Sequence, residues 1–137
     1  MYTGSIEDRT AIRELHEVYA DGVVMMDKDI WGSVWAEDAT WDFMGNLIEG
    51  REAIVGVWLG AMSNFEKVSF QCMPCMTDID GDTATARVQT QEILKGKDGS
   101  TRHLGGLYTD KLAKIDGQWL YTHRSFQVIA EFRPEEG

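Results

Sequence analysis

From Ser5 to Asp27 apolar residues recur every three or four positions. Ile12, Leu15, Tyr19, Val23 and Met26 make one stripe, the periodicity of an amphipathic helix. Ser5, with Asp8 three residues on, resembles a capping box and sets the helix start. Asp27 lies four residues beyond Val23 and continues the stripe, whereas Asp21 lies off it and is expected in solvent. Ile30 to Trp35 predicts a short second helix that gives Trp31, Val34 and Trp35 to the core. Glu37 and Asp38 form a turn, and Ala39 to Met44 alternates as a strand. Gly45-Asn46 then turns tightly into Leu47-Ile48-Glu49. Gly50 ends that strand, and Arg51 to Met62 predicts a third helix with Ile54, Val57, Trp58 and Met62 apolar. Beyond Ser63-Asn64 the pattern is β, with strands at about 67–78, 83–95, 101–115 and 118–130. Asp80-Gly81-Asp82, the loop Gly96-Lys97-Asp98-Gly99-Ser100 and Asp116-Gly117 join them into a meander. The order α-α-β-β-α-β-β-β-β predicts a single α+β domain over residues 1–137. A strongly bent, mostly antiparallel sheet wrapped over a long helix leaves a conical pocket, a natural small-molecule site. The charged tail, Arg133 to Gly137, is expected to fray.

Composition narrows the partners. The net charge of −10 argues against nucleic acid and against anionic membranes, both of which need a basic face. No apolar run approaches the roughly 20 residues that span a bilayer, and MYTGSIEDRT has neither the basic region nor the apolar core of a signal peptide. Two cysteines and seven methionines fit a reducing, cytoplasmic setting.

A carboxylate in an aromatic-lined hollow is costly unless it has a partner or a task. Asp27, followed by three tryptophans within fifteen residues, is therefore expected to accept a proton or to orient a group that does. Glu92 continues the face of Ala84, Ala86, Val88 and Thr90, either inside near the pocket mouth or already in solvent. Arg124 is read in phase with Leu120, Thr122, Phe126 and Val128. If buried it needs an anion, for which Asp27, Glu92 or a substrate oxygen would serve. On the 101–115 strand either His103 faces inward as a base, or Leu104, Gly106 and Tyr108 do, and Gly105-Gly106 invites a bulge. Trp41, Phe43, Trp58, Phe70 and Phe126 are either plain core or cavity wall. As wall they suit an apolar, aromatic or polycyclic ligand, with Tyr19 donating to its oxygen. His16 and His123 read as surface or interface residues. Cys72-Met73-Pro74-Cys75 lies in a predicted strand, away from the helix N-terminus a redox pair needs, and lacks two further zinc ligands. No glycine-rich phosphate loop or metal-ligand cluster occurs, so neither cofactor nor metal is expected.

RTAIRELHEVYADGVVMMDKDIWGSVWAEDATWDF, IEGREAIVGVW, DIDGDTATARV and YTDKLAKIDGQWLYTHRS, in this order and spacing, resemble the SnoaL-like branch of the NTF2-like superfamily over about residues 5–130. The resemblance implies a cone-shaped α+β fold and a homodimer or homotrimer. Its members include dehydratases, dehydrochlorinases, isomerases, cyclases and non-catalytic binding domains. Asp27 falls on the helix-one aspartate that pairs with a third-strand histidine in the eliminating relatives, and Trp41 falls on an aromatic pocket residue. Arg124 falls on a polar pocket position, and His103 on a strand that carries a histidine in a dehydratase relative. The third-strand histidine position falls on Phe70 or Gln71, so the usual dyad is broken. The resulting expectation is a cofactor-free lyase or dehydratase acting on a small hydrophobic molecule. Asp27 and His103 would share proton transfer, and Arg124 or Tyr19 would hold an oxygen. An isomerase or polyketide cyclase, and a binding module without chemistry, are the alternatives. The observation that separates them is whether Asp27 reaches His103, Arg124 or Tyr19 inside a closed pocket.

Overall fold

The computed structural model describes residues 1–134; Glu135 to Gly137, the end of the tail expected to fray, lie outside the described residues. Helices α1 (Ile6–Met25) and α2 (Lys28–Gly32) lead into strands β1 (Trp35–Phe43) and β2 (Asn46–Glu49). Helix α3 (Arg51–Met62) then precedes β3 (Phe65–Asp80), β4 (Thr83–Gly96), β5 (Thr101–Ile115) and β6 (Gln118–Phe132). This is the predicted element order. The strands form one six-stranded sheet in the order β2-β1-β6-β5-β4-β3. All neighbours are antiparallel except β1 and β6, which run parallel. The sheet curves around α1, which packs on β3 and β6, while α3 closes over β1 and β2. The fold is the α+β, NTF2-like cone. Among the described residues no helix is long and apolar enough to cross a membrane.

Local chemistry explains the element boundaries. Ser5 caps α1, its Oγ accepting the Asp8 N–H at 3.1 Å, which satisfies one of the orphan donors of the first turn. Asp8 does not complete the expected box. Its carboxylate instead accepts Trp119 Nε1–H at 2.9 Å and Lys114 Nζ at 3.2 Å, tying α1 to the β5–β6 turn. At the far end Met26 adopts a left-handed conformation (φ 51°) and reverses the chain. The second helix spans Lys28–Gly32 rather than Ile30 to Trp35, because Asp27 caps it and Trp35 already pairs with Tyr121 as a strand residue. In β6 the pairing skips from Lys111–His123 to Leu112–Tyr121, leaving Thr122 as the extra residue of a bulge. Trp119 and Tyr121 therefore point inward before it, and Arg124 and Phe126 after it. Arg124 does not share a phase with Leu120 and Thr122, as the uninterrupted alternation implied.

Aromatic side chains fill the inside of the cone. Trp31 stacks on Trp58 with centroids 4.4 Å apart and planes 5° apart, and it contacts Tyr19, Trp35 and Trp41 edge-on or tilted. To bring Trp31 in, α1 and α2 approach so closely that a Cβ on Gly22 would lie 2.6 Å from the Trp31 backbone nitrogen. By contrast Gly56, exposed on α3, has nothing within 4 Å of such a Cβ. Gly22→Ala should therefore cost about 1–3 kcal/mol through overpacking, while Gly56→Ala should gain up to about 1 kcal/mol of helix propensity. Urea unfolding of the two variants checks this, and equal effects of one sign would refute the close-approach account.

Candidate functional site

Between α1, α3 and the inner face of the sheet lies a cavity of about 240 Å³. Helix α1 gives Tyr19 and Val23, and α3 gives Trp58, Ala61 and Met62. The sheet supplies Trp41 and Phe43 from β1, Phe70 from β3, Glu92 from β4, Leu104 and Tyr108 from β5, and Phe126 from β6. Period-two alternation produces this gathering, since Phe70 pairs with Glu92, Glu92 with Leu104, and Tyr108 with Phe126 across neighbouring strands. At Gly106 an added Cβ would sit 2.3 Å from the Phe126 ring, so the missing side chain lets Phe126 lie against Tyr108, centroids 4.9 Å apart.

Three polar features stand in or behind this apolar wall. Tyr19 and Tyr108 share a buried hydroxyl–hydroxyl hydrogen bond of 2.6 Å. Burial pushes the Tyr19 phenol up to about 12 and the Tyr108 phenol well above its usual value, so both stay protonated donors near neutral pH. Glu92 is half-buried among the aromatics. Burial pushes its carboxyl up to about 7, against a weaker pull downward from Arg102, the other charged residue of the wall. Behind the phenols Arg124 makes a bidentate pair with Asp110, Nε to Oδ1 at 2.7 Å and Nη2 to Oδ2 at 3.0 Å. Both side chains are at most 1% exposed. Burial opposes the guanidinium's charge, but Asp110 and the surrounding phenols outweigh it and raise the Arg124 pKa; burial also pushes the Asp110 carboxyl up, against the pull of Arg124, and the two-point contact is the geometry of a guanidinium–carboxylate pair. Farther from the cavity His16 Nδ1 bonds the Tyr121 hydroxyl. Burial, then the charge of Arg124, hold His16 down at about 3 and therefore neutral.

Of the residues singled out in the sequence, Tyr19, Trp41, Phe43, Trp58, Phe70, Glu92, Tyr108 and Phe126 come together on this cavity. Asp27 does not join them. The left-handed Met26 ends the helical periphery before the stripe reaches Asp27. Its Oδ1 instead accepts the N–H groups of Asp29 at 2.8 Å and Ile30 at 3.1 Å as the cap of α2. No hydrogen bond links it to His103, Arg124 or Tyr19, so the separating observation goes against an enzyme centred on Asp27, and proton transfer in the cavity would need another group. His103 is exposed on the outer face. It pairs with Ile93 and Phe132, because Leu104 and Tyr108 take the inward phase; β5 has no bulge at Gly105-Gly106, the register shift there coming from the extra residue Ile129 in β6. Thr90 is buried beside the Gly106 gap with its hydroxyl unpartnered, outside the cavity lining. Arg124 is likewise behind the wall, paired with Asp110 rather than with Asp27 or Glu92. His16, expected at the surface, is 1% exposed; four residues after Ile12 and three before Tyr19, it belonged to the apolar stripe. His123 is half-buried, bonded to Thr40 at 2.6 Å. Cys72 and Cys75 are free, the first half-buried and the second exposed; Cys75 is the unpaired residue at a register shift in β3. Asp110, Tyr121 and Arg102 were not singled out. Asp110 was the findable one, two residues from Tyr108 on the same strand face.

The sequence profile of the SnoaL-like domain matches residues 4–125. The chain belongs to the SnoaL-like domain family. Solved structures agree in fold. A candidate scytalone dehydratase from Novosphingobium aromaticivorans is 21% identical, with 93% of this chain and 87% of that one covered and a TM-score of 0.85. A candidate aromatic ring hydroxylase from the same organism is 25% identical, with 98% of both chains covered and a TM-score of 0.88. A type 3 hexachlorocyclohexane dehydrochlorinase from Novosphingobium barchaimii is 16% identical, with 93% and 90% covered and a TM-score of 0.82. No curated protein matches the chain.

Two stability predictions follow from the site's electrostatics. Arg124→Met leaves a buried carboxylate unpaired and should cost about 3–5 kcal/mol, whereas adding Asp110→Leu should recover most of that. Equal unfolding midpoints for the single and double variants would contradict the pairing. Glu92 has a folded pKa of about 7 against an ordinary 4.5, so its contribution is fully present below about 4.5 and lost as pH rises through about 7. Glu92→Gln should therefore gain stability relative to the unmodified chain as pH rises across that window, read from unfolding curves at pH 4 to 8. A pH-independent difference would show that the carboxyl is not shifted. The neutral His16 works in the opposite sense, its contribution being lost as pH falls from 6.5 towards about 3; the Glu92→Gln difference curve cancels it.

Proposed function

We propose that this protein is a cofactor-independent lyase or isomerase acting on a small hydrophobic, ring-containing carbonyl compound, with Glu92 as the proton-transfer group. The observation that carries this is the presence of Glu92 and the Tyr19–Tyr108 pair on the wall of one apolar cavity. A carboxyl with a pKa of about 7 is matched to accepting and returning a proton near neutral pH. Glu92 also lies directly across from Phe70 in the β3–β4 pairing. Phe70 is the inward residue of the two on which the relatives' third-strand histidine falls. The proton acceptor is thereby displaced by one strand rather than lost.

In the proposed reaction the Glu92 carboxylate takes a proton from the carbon beside the carbonyl. The C–H pair forms the new carbon–carbon double bond, and the carbonyl oxygen becomes an enolate, which a phenol O–H of the tyrosine pair holds. Collapse of the enolate either expels a leaving group from the next carbon, the Glu92 proton passing to that group, or, where the substrate carries a β,γ double bond and the intermediate is a dienolate, takes the proton back at the γ carbon. The first outcome is a lyase reaction, and it accords with neighbours named as a dehydratase and a dehydrochlorinase. The second is an isomerisation in the same pocket. The aromatic wall seats the ring, and the free thiols of Cys72 and Cys75 suit a reducing, cytoplasmic setting.

Turnover across a panel of cyclic and aryl β-hydroxy ketones, with ligand binding measured in parallel, tests this reading. Glu92→Gln should lower kcat by about 100-fold or more with binding kept, and kcat/KM of the unmodified protein should rise with pH to a plateau above about 7. Tight binding without turnover in either protein would make it a carrier of such molecules rather than an enzyme.

A further inference from the structure

We propose that Arg124 is a positioning residue: its buried charge, stacked beneath the rings of Tyr19 and Tyr108, strengthens their hydroxyls as donors to a substrate oxygen that becomes negative. The inference rests on the reading that this cavity handles an oxyanion, and it assigns that task to an ion pair that never meets the substrate.

The geometry separates what Arg124 can touch from what it can influence. Its edge is committed, since Nε and Nη2 both donate to Asp110. Its guanidinium carbon lies 3.7 Å from the Tyr108 ring centroid, 4.5 Å from that of Tyr19 and 4.0 Å from that of Tyr121. A cation over a ring draws on the ring's electron density and makes the attached O–H a stronger donor. Two of the three phenols, Tyr19 and Tyr108, line the cavity, while the Tyr121 hydroxyl is engaged by His16. The Tyr19–Tyr108 pair shares one hydrogen bond, so one hydroxyl proton is used within the pair and the other remains for a ligand. The charge of Arg124 acts to lower the pKa of both cavity phenols, against burial. At 1% exposure and outside the cavity lining, the guanidinium can act on a ligand only through these rings.

The test uses the full chain carrying Glu92→Gln, which removes the carboxylate's repulsion, and two probes, 4-nitrophenolate and its methyl ether 4-nitroanisole. In that background the anion should bind more tightly than the ether. Converting the ion pair to the uncharged Arg124→Gln, Asp110→Asn should reduce this preference by about tenfold while leaving the affinity for 4-nitroanisole within about twofold. A role limited to holding the fold would weaken both probes together, and that result, or an unchanged preference, overturns the proposal. If the uncharged pair does not fold, Tyr19→Phe with Tyr108→Phe keeps every ring over the guanidinium but removes the hydroxyls. The preference should then vanish, and its survival would show that the charge does not act through the phenols. Because neither measurement needs turnover, failure here is distinct from failure of the proposed reaction, which the kinetics of Glu92→Gln decide.

Discussion

The Arg124–Asp110 pair is the constraint that orders the inside of this cone. Two charges removed from water each cost several kcal/mol, and only near-ideal geometry with further hydrogen bonding offsets that cost. Here the bidentate contact supplies the geometry, and three tyrosine rings within 4.5 Å solvate the guanidinium faces. Each requirement fixes a neighbour. Tyr121 is held by His16, Tyr19 by Tyr108, and both β5 and β6 must present alternate residues inward at this level. The bulge at Thr122 makes that possible, because it changes the phase of β6 between the turn-proximal core residues Trp119 and Tyr121 and the cavity-side pair Arg124 and Phe126. A polar knot of this kind costs stability compared with an apolar core, and its presence directly behind the cavity is more readily understood through function than through folding.

Around the knot the fold is built by aromatic packing. Trp31, delivered by the tight α1–α2 approach over Gly22, spreads contacts to Tyr19, Trp35, Trp41 and Trp58. Of these, Tyr19, Trp41 and Trp58 line the cavity of about 240 Å³. With so many rings locked together, the cavity is shaped by rigid walls rather than by loops, and its polar groups have little freedom to miss their targets. Glu92 is the exception. It extends from a strand into apolar surroundings without a hydrogen-bond partner among the described residues, and that burial is what lifts its carboxyl.

Much of this was legible in the sequence because it depends on period. Helical spacing gave α1 and α3, and β alternation with Asp-Gly turns gave the four long strands. The alternation through Ala84, Ala86, Val88 and Thr90 put Glu92 on their face of the strand but left it between the pocket mouth and solvent, and the structure sets it on the cavity wall. What the sequence hid depends on breaks in period. The left-handed Met26 turned Asp27 from a cavity acid into a helix cap, a change that no stripe reveals. The bulge at Thr122 altered the company of Arg124, and the hydrogen bonds that single out Asp110 as its partner lie between strands. The parity of β5 stayed open until its register with β4 was seen, and it decided for Tyr108 and against His103. His16 was misjudged for a different reason. A polar residue on an apolar stripe was assigned to the surface by type, although its position placed it inside, where a hydroxyl from a distant strand could satisfy it.

The central claim is that the cavity holds a carboxyl poised between its charged and neutral forms. A titration of Glu92 itself, by the 13C shift of its side-chain carboxyl in labelled protein with Glu92→Gln used to assign the signal, tests that without a substrate. The account predicts a midpoint of about 7. A midpoint at the ordinary 4.5 would mean that Glu92 is solvated at the mouth, and the proposed chemistry would lose its base.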